Sequence, residues 1–291
     1  SGEKLAAIGD GGYGHGIRAR QIRDDLLAHD RADEKDMLAV QLDDRALFLQ
    51  WWRDLLLDIL TPAATSTHPE RAEFRRLADE TWTGHASVES AGYRLVRAFR
   101  YNLREEVYGW LTADCLAVDP EFDSRQLPYW EGVLRSLLRE RPRHLLPSRF
   151  GTWDDALLAV VDSTVVEFTA GEQILADRTW GERNTTALRH PLSAAVPLLS
   201  RWVDMPPRQL PGDSYMPRVQ HPRSGASERM VVAPGREEQG IFHMPCGQSG
   251  HPFSPYFGAG HDAWEQGRPT PLLAGPTVWL LTLQPAAASD D

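Results

Sequence analysis

Two cysteines, Cys115 and Cys246, are all that 291 residues contain. A disulfide-built scaffold is thereby excluded, and the pair is open to a single bridge or to two free thiols. No run of about 18 apolar residues occurs, so no segment reads as a membrane-spanning helix. Clustered Lys and Arg are also missing: Arg alternates with Asp and Glu, as in Arg71–Glu80, and the formal net charge is −10. Phosphate backbones and anionic membranes need concentrated positive charge, so neither nucleic acid nor a membrane surface is an expected partner. No internal repeat, low-complexity tract or secretory leader is visible. The first residue is Ser rather than Met, which reads as a start left by processing or by an arbitrary cut. A 42% apolar content over this length is ample for a globular core.

The sequence divides in texture. Residues 1–180 read as a mostly helical segment and residues 181–291 as a strand- and loop-rich segment of the same unit. After a glycine-rich opening, Ile17, Ile22, Leu26 and Leu27 fit one helical stripe over 17–27. A long helix is expected from Asp33 to Leu60, with Asp33 as N-cap, Leu38, Leu42, Leu49 and Leu56 on one face, and Thr61-Pro62 as its stop. Thr67-His68-Pro69-Glu70 matches a capping box for a helix to Glu80. Ser87 is placed to cap another through Trp110. Two more are expected over Tyr129–Arg139 and Trp153–Ala170, the latter capped by Thr152 and ended by Gly171. Beyond Trp180, β-type runs occupy Met230–Val232, Ile241–Met244 and Val278–Leu283, with Pro234–Gln239 linking the first two as a hairpin. Helices followed by strands indicate an α+β fold. Three short runs cannot close a sheet by themselves, so partner strands from outside the chain are expected.

Several residues suggest chemistry. A chain-terminal Ser such as Ser1 can attack with its own α-amino group as base. The residues after it, however, give no rigid strand to hold it, which favours a simple chain boundary. His243, Cys246, His251 and His261 cluster locally, but H-x2-C-x4-H-x9-H fits no common zinc spacing, and loop and packing roles are expected instead. Gly247-Gln248-Ser249-Gly250 lacks the terminal Gly of a nucleophile elbow and reads as a tight turn in which Gly247 and Gly250 supply unusual backbone angles. The pairs Asp24-Asp25, Asp43-Asp44 and Asp154-Asp155 fall on expected helices, where neighbours do not share a face, so they read as solvated. Arg18 is different. A cation at a helix start opposes the dipole and needs an anion to compensate, either a nearby Asp or something in a functional site.

The order of five segments resembles the penicillin acylase family, including its acyl-homoserine lactone acylases. They are Gly16-Ile17-Arg18-Ala19-Arg20-Gln21-Ile22 with 33–43 (DEKDMLAVQLD), Arg189-His190-Pro191-Leu192, Gly225–Val232 (GASERMVV), Gly247–Pro255 (GQSGHPFSP) and Trp264-Glu265-Gln266-Gly267. Tyr256-Phe257 and Gly258–His261 depart from the family pattern. The resemblance implies an N-terminal-nucleophile hydrolase with an αββα sandwich, made as a precursor that cleaves itself into two subunits. It implies that this chain is the C-terminal part of the larger (beta) subunit. Its partners are then the small (alpha) subunit and the N-terminal part of the beta subunit. The nucleophilic Ser and the oxyanion-stabilising Asn would lie outside this chain, with Arg18 as the matching supporting catalytic residue. The implied substrate is a small-molecule N-acyl amide, either an acyl-homoserine lactone or a β-lactam side chain. A periplasmic or secreted location is implied too, in which Cys115 and Cys246 have the option of pairing. No cofactor is required for catalysis; structural calcium belongs to the family, but no residue is assigned to it, and none to substrate binding. The rival readings are a non-catalytic scaffold or binding module sharing the fold, and a stand-alone metal hydrolase using the 243–261 cluster.

Overall fold

Apolar residues at helical spacing dominate the first two thirds of the chain, and they gather around one long helix. The computed structural model describes residues 3–8, 16–127 and 130–284; Ser1, most of the glycine-rich opening and Tyr129 lie outside them. The helices are α1 (Glu3–Ile8), α2 (Ile17–Leu27), α3 (Glu34–Gln41), α4 (Leu47–Ile59), α5 (Pro62–Thr65), α6 (Pro69–Glu80), α7 (Ala91–Leu111) and α8 (Ala113–Val118). They continue with α9 (Trp130–Glu140), α10 (Trp153–Thr169), α11 (Trp180–Arg183), α12 (Pro191–Ala195), α13 (Ser200–Val203) and, after two strands, α14 (His261–Gln266). Strands β1 (Arg229–Val231) and β2 (Ile241–His243) pair antiparallel, with Met230 opposite Phe242.

Helix α7 is central because its apolar residues recur on nearly every side that meets a neighbour. It buries Tyr93, Leu95, Val96, Phe99, Leu103 and Val107. Leu49, Trp52 and Leu56 of α4, Phe74 and Leu77 of α6, and Leu157, Val160 and Val161 of α10 complete the same core. Each fully buried Leu or Phe contributes roughly 1.5–3 kcal/mol. A second, smaller core forms where Leu38 of α3 meets Val231 and Ile241 of the hairpin, flanked by Met37 and Leu42. The architecture is α+β, with the hairpin laid on α3.

Local signals mostly hold. Asp33 caps α3 in a capping box with Asp36. Thr152 and Asp155 do the same for α10, and Gly171 follows it with a left-handed φ of 70°. Other expectations need correction. The helix expected from Asp33 to Leu60 is two helices, α3 and α4. Between them Ala46 N–H donates to Gly84 O (2.7 Å) and Ala86 N–H to Asp44 O (2.9 Å). The backbone there bonds to a distant segment instead of continuing the helix. Ser90, not Ser87, caps α7, accepting from Tyr93 N–H at 2.9 Å. The 87–90 turn is held against α11, where Gly181 N–H donates to Val88 O (2.8 Å). His68 rather than Thr67 precedes α6, and no side chain caps it. The run Val278–Leu283 is no strand: it meets no neighbouring strand among the described residues, and Trp279 is 91% exposed.

The stripe on α2 also behaves unexpectedly. Ile22, Leu26 and Leu27 are exposed, while Gln21 is buried. Polar contacts dock this helix: Gln21 Nε2 donates to Asp43 Oδ2 at 2.6 Å, and Arg45 pairs with both Asp25 and Asp43. Asp43 is therefore not a solvated helical residue. Burial acts to raise its pKa, but hydrogen bonds from Arg45 and Gln21 outweigh this and hold it at about 2. Asp44 meets His85 Nδ1 at 2.6 Å. Cys115 is exposed, Cys246 is half-buried, and both are free thiols. Among the described residues no helix is long and apolar enough to cross a membrane.

One ionic cluster sits inside the core. The Arg100 guanidinium, fully buried, donates from Nε (3.0 Å) and Nη2 (2.7 Å) to Glu131 Oε2. Glu131 Oε1 accepts from Trp52 Nε1 at 2.8 Å and from Arg135 Nε at 2.7 Å. Rings of Phe48, Trp130 and Tyr215 lie within 4.8 Å of the Arg100 guanidinium carbon. Removing one partner of such a cluster strands a buried charge. Glu131→Ala is expected to destabilise the protein by about 3–5 kcal/mol, read as a lower urea midpoint. An unchanged midpoint would show that the cluster is not what holds α9 to α7.

Candidate functional site

The loop between α13 and β1 carries polar residues that are fixed from beneath by α7. Asp213 is completely buried. Its Oδ2 accepts from Tyr93 Oη at 2.8 Å and from Arg97 Nε at 2.5 Å, and its Oδ1 accepts from Ser214 N–H at 2.7 Å. Burial first, then the Asp213 charge, pushes the Tyr93 phenol well above its ordinary value, so it stays a donor. Tyr215 Oη lies 3.0 Å from Arg100 Nη1 and 2.6 Å from Tyr101 Oη. Gly212, at φ +100°, lets the chain turn here; a Cβ on it would lie 2.3 Å from Arg218 O. The loop is thus preorganised by buried charge and by one glycine.

This fixed loop presents His221 and Ser214 to a half-open edge, with the imidazole Nε2 3.0 Å from Ser214 Oγ. Burial lowers the His221 pKa; Asp213 opposes that, while the positive charges of Arg97, Arg183 and Arg18 add to it. Arg18 thus acts on His221 through its charge. It follows Gly16, a left-handed N-cap at φ 64° with no side-chain cap, on the first turn of α2. Arg18 and Arg183 are both exposed and neither makes an ion pair among the described residues.

The chemistry available follows from this geometry. Two guanidiniums with no ion-pair partner among the described residues help to lower the His221 pKa, an arrangement that favours negative charge. Asp213 is not a partner of His221, its oxygens being taken by Tyr93, Arg97 and Ser214 N–H, so Ser214 and His221 form no Ser–His–Asp relay. Sequence reasoning singled out Arg18 and did not single out Ser214, His221, Arg183 or Asp213. A signal did exist: Arg94, Arg97, Arg100 and Arg104 recur on the otherwise apolar face of α7, and three of the four are under 10% exposed, so acidic partners had to lie elsewhere in the chain.

The 243–261 residues do not converge. His243 Nε2 meets Arg268 O at 2.6 Å, His261 Nδ1 meets Pro245 O at 2.5 Å, and His251 is exposed. Among the described residues no three His, Cys, Asp or Glu side chains gather as a metal would need. The 247–250 turn needs space rather than unusual angles: neither glycine has a positive φ, but a Cβ on Gly247 would lie 1.7 Å from Tyr256 O. The segments that carry the resemblance do meet each other. Gln41 Nε2 donates to Met230 O (3.4 Å), Arg229 Nη1 to Trp264 O (2.8 Å), and Gly267 faces Leu42 with no room for a Cβ.

An α+β chain with these segments in this order is a member of the penicillin amidase family, whose model matches residues 2–277. Among known proteins it is similar to penicillin acylase 2 proenzyme of Pseudomonas sp. (strain SE83), at 25% identity over 209 residues, or 66% of this chain and 25% of that relative. The chain spans about a quarter of the length of the curated relative it matches.

The His221 shift has a measurable consequence. The unfolded imidazole takes up a proton near its ordinary value of 6.5, whereas the folded one takes it only at lower pH. This group's contribution is complete above 6.5 and is lost as pH falls from there. Urea midpoints are expected to fall between pH 7 and pH 5 with a shallower slope in His221→Gln; identical slopes would mean that the folded environment does not hold His221 neutral.

Proposed function

We propose that this chain is the C-terminal part of the larger subunit of an amide hydrolase that removes the acyl group from an N-acyl amide. The substrate is a β-lactam side chain or an acyl-homoserine lactone. The reading is carried by the family match over residues 2–277. A relative described as a proenzyme, a quarter of which is matched, supports processing into subunits and further polypeptide around this one.

In this reading the attacking Ser is the new N-terminus of the larger subunit and stands outside the present sequence. Its α-amino group takes the hydroxyl proton as the oxygen attacks the amide carbonyl. The tetrahedral intermediate collapses, the amine leaves with a proton, and water then cleaves the acyl-enzyme to release the acid. The central strands of an αββα sandwich come from the other segments. The exposed apolar residues Ile22, Leu26, Leu47 and 278–283 support surfaces made to be covered by them. The location proposed is periplasmic or secreted.

Arg18 is assigned a supporting role. Its charge helps to lower the His221 pKa and no carboxylate pairs with it among the described residues, which suits a guanidinium that stabilises negative charge developing on the substrate. In the full gene product Arg18→Ala is expected to lower kcat on the order of 10²-fold with an unchanged urea midpoint. Turnover of a penicillin and of an acyl-homoserine lactone, measured side by side, separates the two substrate classes. No turnover of either, with no Ser-initiated subunit in the mass spectrum, overturns the assignment; unchanged kcat removes Arg18 alone.

A further inference from the structure

Two of the segments that carry the family resemblance, far apart in sequence, form opposite walls of one cavity. It measures about 670 Å3 and is lined by residues of 187–205 and 245–257 together with Arg223. That size lies within the range of roughly 300–1,000 Å3 typical of small-molecule sites. Leu188, Val203, Met205 and Phe257 make its surface largely apolar. Arg189 and Arg223 also line it; both are exposed, and neither is ion-paired among the described residues. The nearby Asp204 accepts from the backbone N–H of His190 through Oδ1 at 2.8 Å and makes no ion pair with either arginine among the described residues. The free thiol of Cys246 is part of the wall.

Both walls are held before any ligand arrives. On one side Met205 N–H donates to Leu188 O (3.1 Å); on the other Gly247 N–H donates to Phe257 O (2.9 Å), and Phe257 N–H to Ser254 O (3.1 Å). Gly247 has no space for a side chain, so this wall cannot slide without breaking the turn. Preformed walls reduce the ordering cost of binding.

We propose that this cavity binds a small carboxylic acid with an apolar tail. The carboxylate sits between the guanidiniums of Arg189 and Arg223, whose planar donor forks match its two oxygens, and the tail lies on Leu188, Val203, Met205 and Phe257 beside Cys246. None of the residues lining it belongs to the Arg18–His221 edge, and the inference is independent of which amide bond the protein cuts.

Cys246 makes the site readable without any activity. The full gene product, with all its subunits retained, is treated with iodoacetamide while sodium octanoate is titrated, and alkylation is followed by peptide mass spectrometry with Cys115 as internal reference. Only the unoccupied fraction reacts, so Cys246 alkylation is expected to slow about fivefold at octanoate near four times its Kd, while Cys115 is unaffected. Arg189→Gln/Arg223→Gln is expected to abolish the protection of Cys246 by octanoate, with unprotected alkylation and the thermal midpoint unchanged. Equal protection by octanol overturns carboxylate recognition. Undiminished protection of Cys246 in the double variant overturns the arginine assignment. No protection of Cys246 at any octanoate concentration, or a Cys246 that resists alkylation in the unliganded protein, overturns the cavity as a ligand site.

Discussion

The guanidiniums on the inner face of α7 constrain everything around them. A buried Arg is tolerated only where a carboxylate or a ring of acceptors meets it, and α7 carries four at three- or four-residue spacing. Arg94 pairs with Glu182 of α11, Arg97 with Asp213 and Arg100 with Glu131 of α9. Arg104 reaches Ser124 O and stacks on Trp130. Each pairing names where another part of the chain must be. Helix α9, helix α11 and the 212–221 loop are therefore placed by charge as much as by apolar contact, because a displaced carboxylate would leave an arginine without solvent or partner.

That constraint reaches the functional edge through Asp213. The same carboxylate holds Tyr93 and Arg97 on one side and the Ser214 backbone on the other, and His221 hangs from Ser214. Arg18 arrives from the opposite end of the sequence on α2, a helix docked by Gln21 and Asp25 rather than by its apolar residues. Docking by polar contacts fixes the rotation of α2, and with it the side on which Arg18 emerges. The exposed Ile22 and Leu26 are the other consequence of that rotation, since a helix cannot turn Gln21 and Asp25 inward and its apolar stripe inward as well.

Legibility in the sequence followed the range of the forces involved. Capping boxes at Asp33 and Thr152 depend on residues three apart and were readable directly, as was the hairpin around 230–243. The break between α3 and α4 was not readable, because it is made by backbone bonds to residues 84–86, about forty positions away. Ser87 and Ser90 are both acceptable caps by local chemistry, and only the contact of Val88 with Gly181 selects the second. The Val278–Leu283 run has strand composition but no partner among the described residues, and composition alone cannot supply one. At the site, Arg18 was visible because its conflict with the helix dipole is local. His221 was invisible because what keeps it neutral is burial first and then the charges of Arg97, Arg183 and Arg18 against that of Asp213, all distant in sequence.

The glycines explain why widely separated motifs end up in register. Gly267, which ends α14, admits Leu42 at the end of α3, and Gly247 admits the Tyr256 carbonyl into the space a side chain would fill. Both are close approaches: the first ties the 264–267 segment to the 33–43 segment, and the second closes the 247–257 turn on itself. Between them Arg229 spans from β1 to Trp264. Its guanidinium is buried and its pKa pushed down to about 10, first by burial and then by Arg218, so no carboxylate balances it. What stabilises it is a backbone carbonyl at 2.8 Å and the indole face 5.3 Å away. A charge held by a carbonyl and a ring tolerates little displacement of either, so β1, α14 and the 245–257 turn that His261 fastens through Pro245 behave as one rigid unit. The cavity wall carrying Cys246 belongs to that unit, which is why its shape is set by packing remote from it.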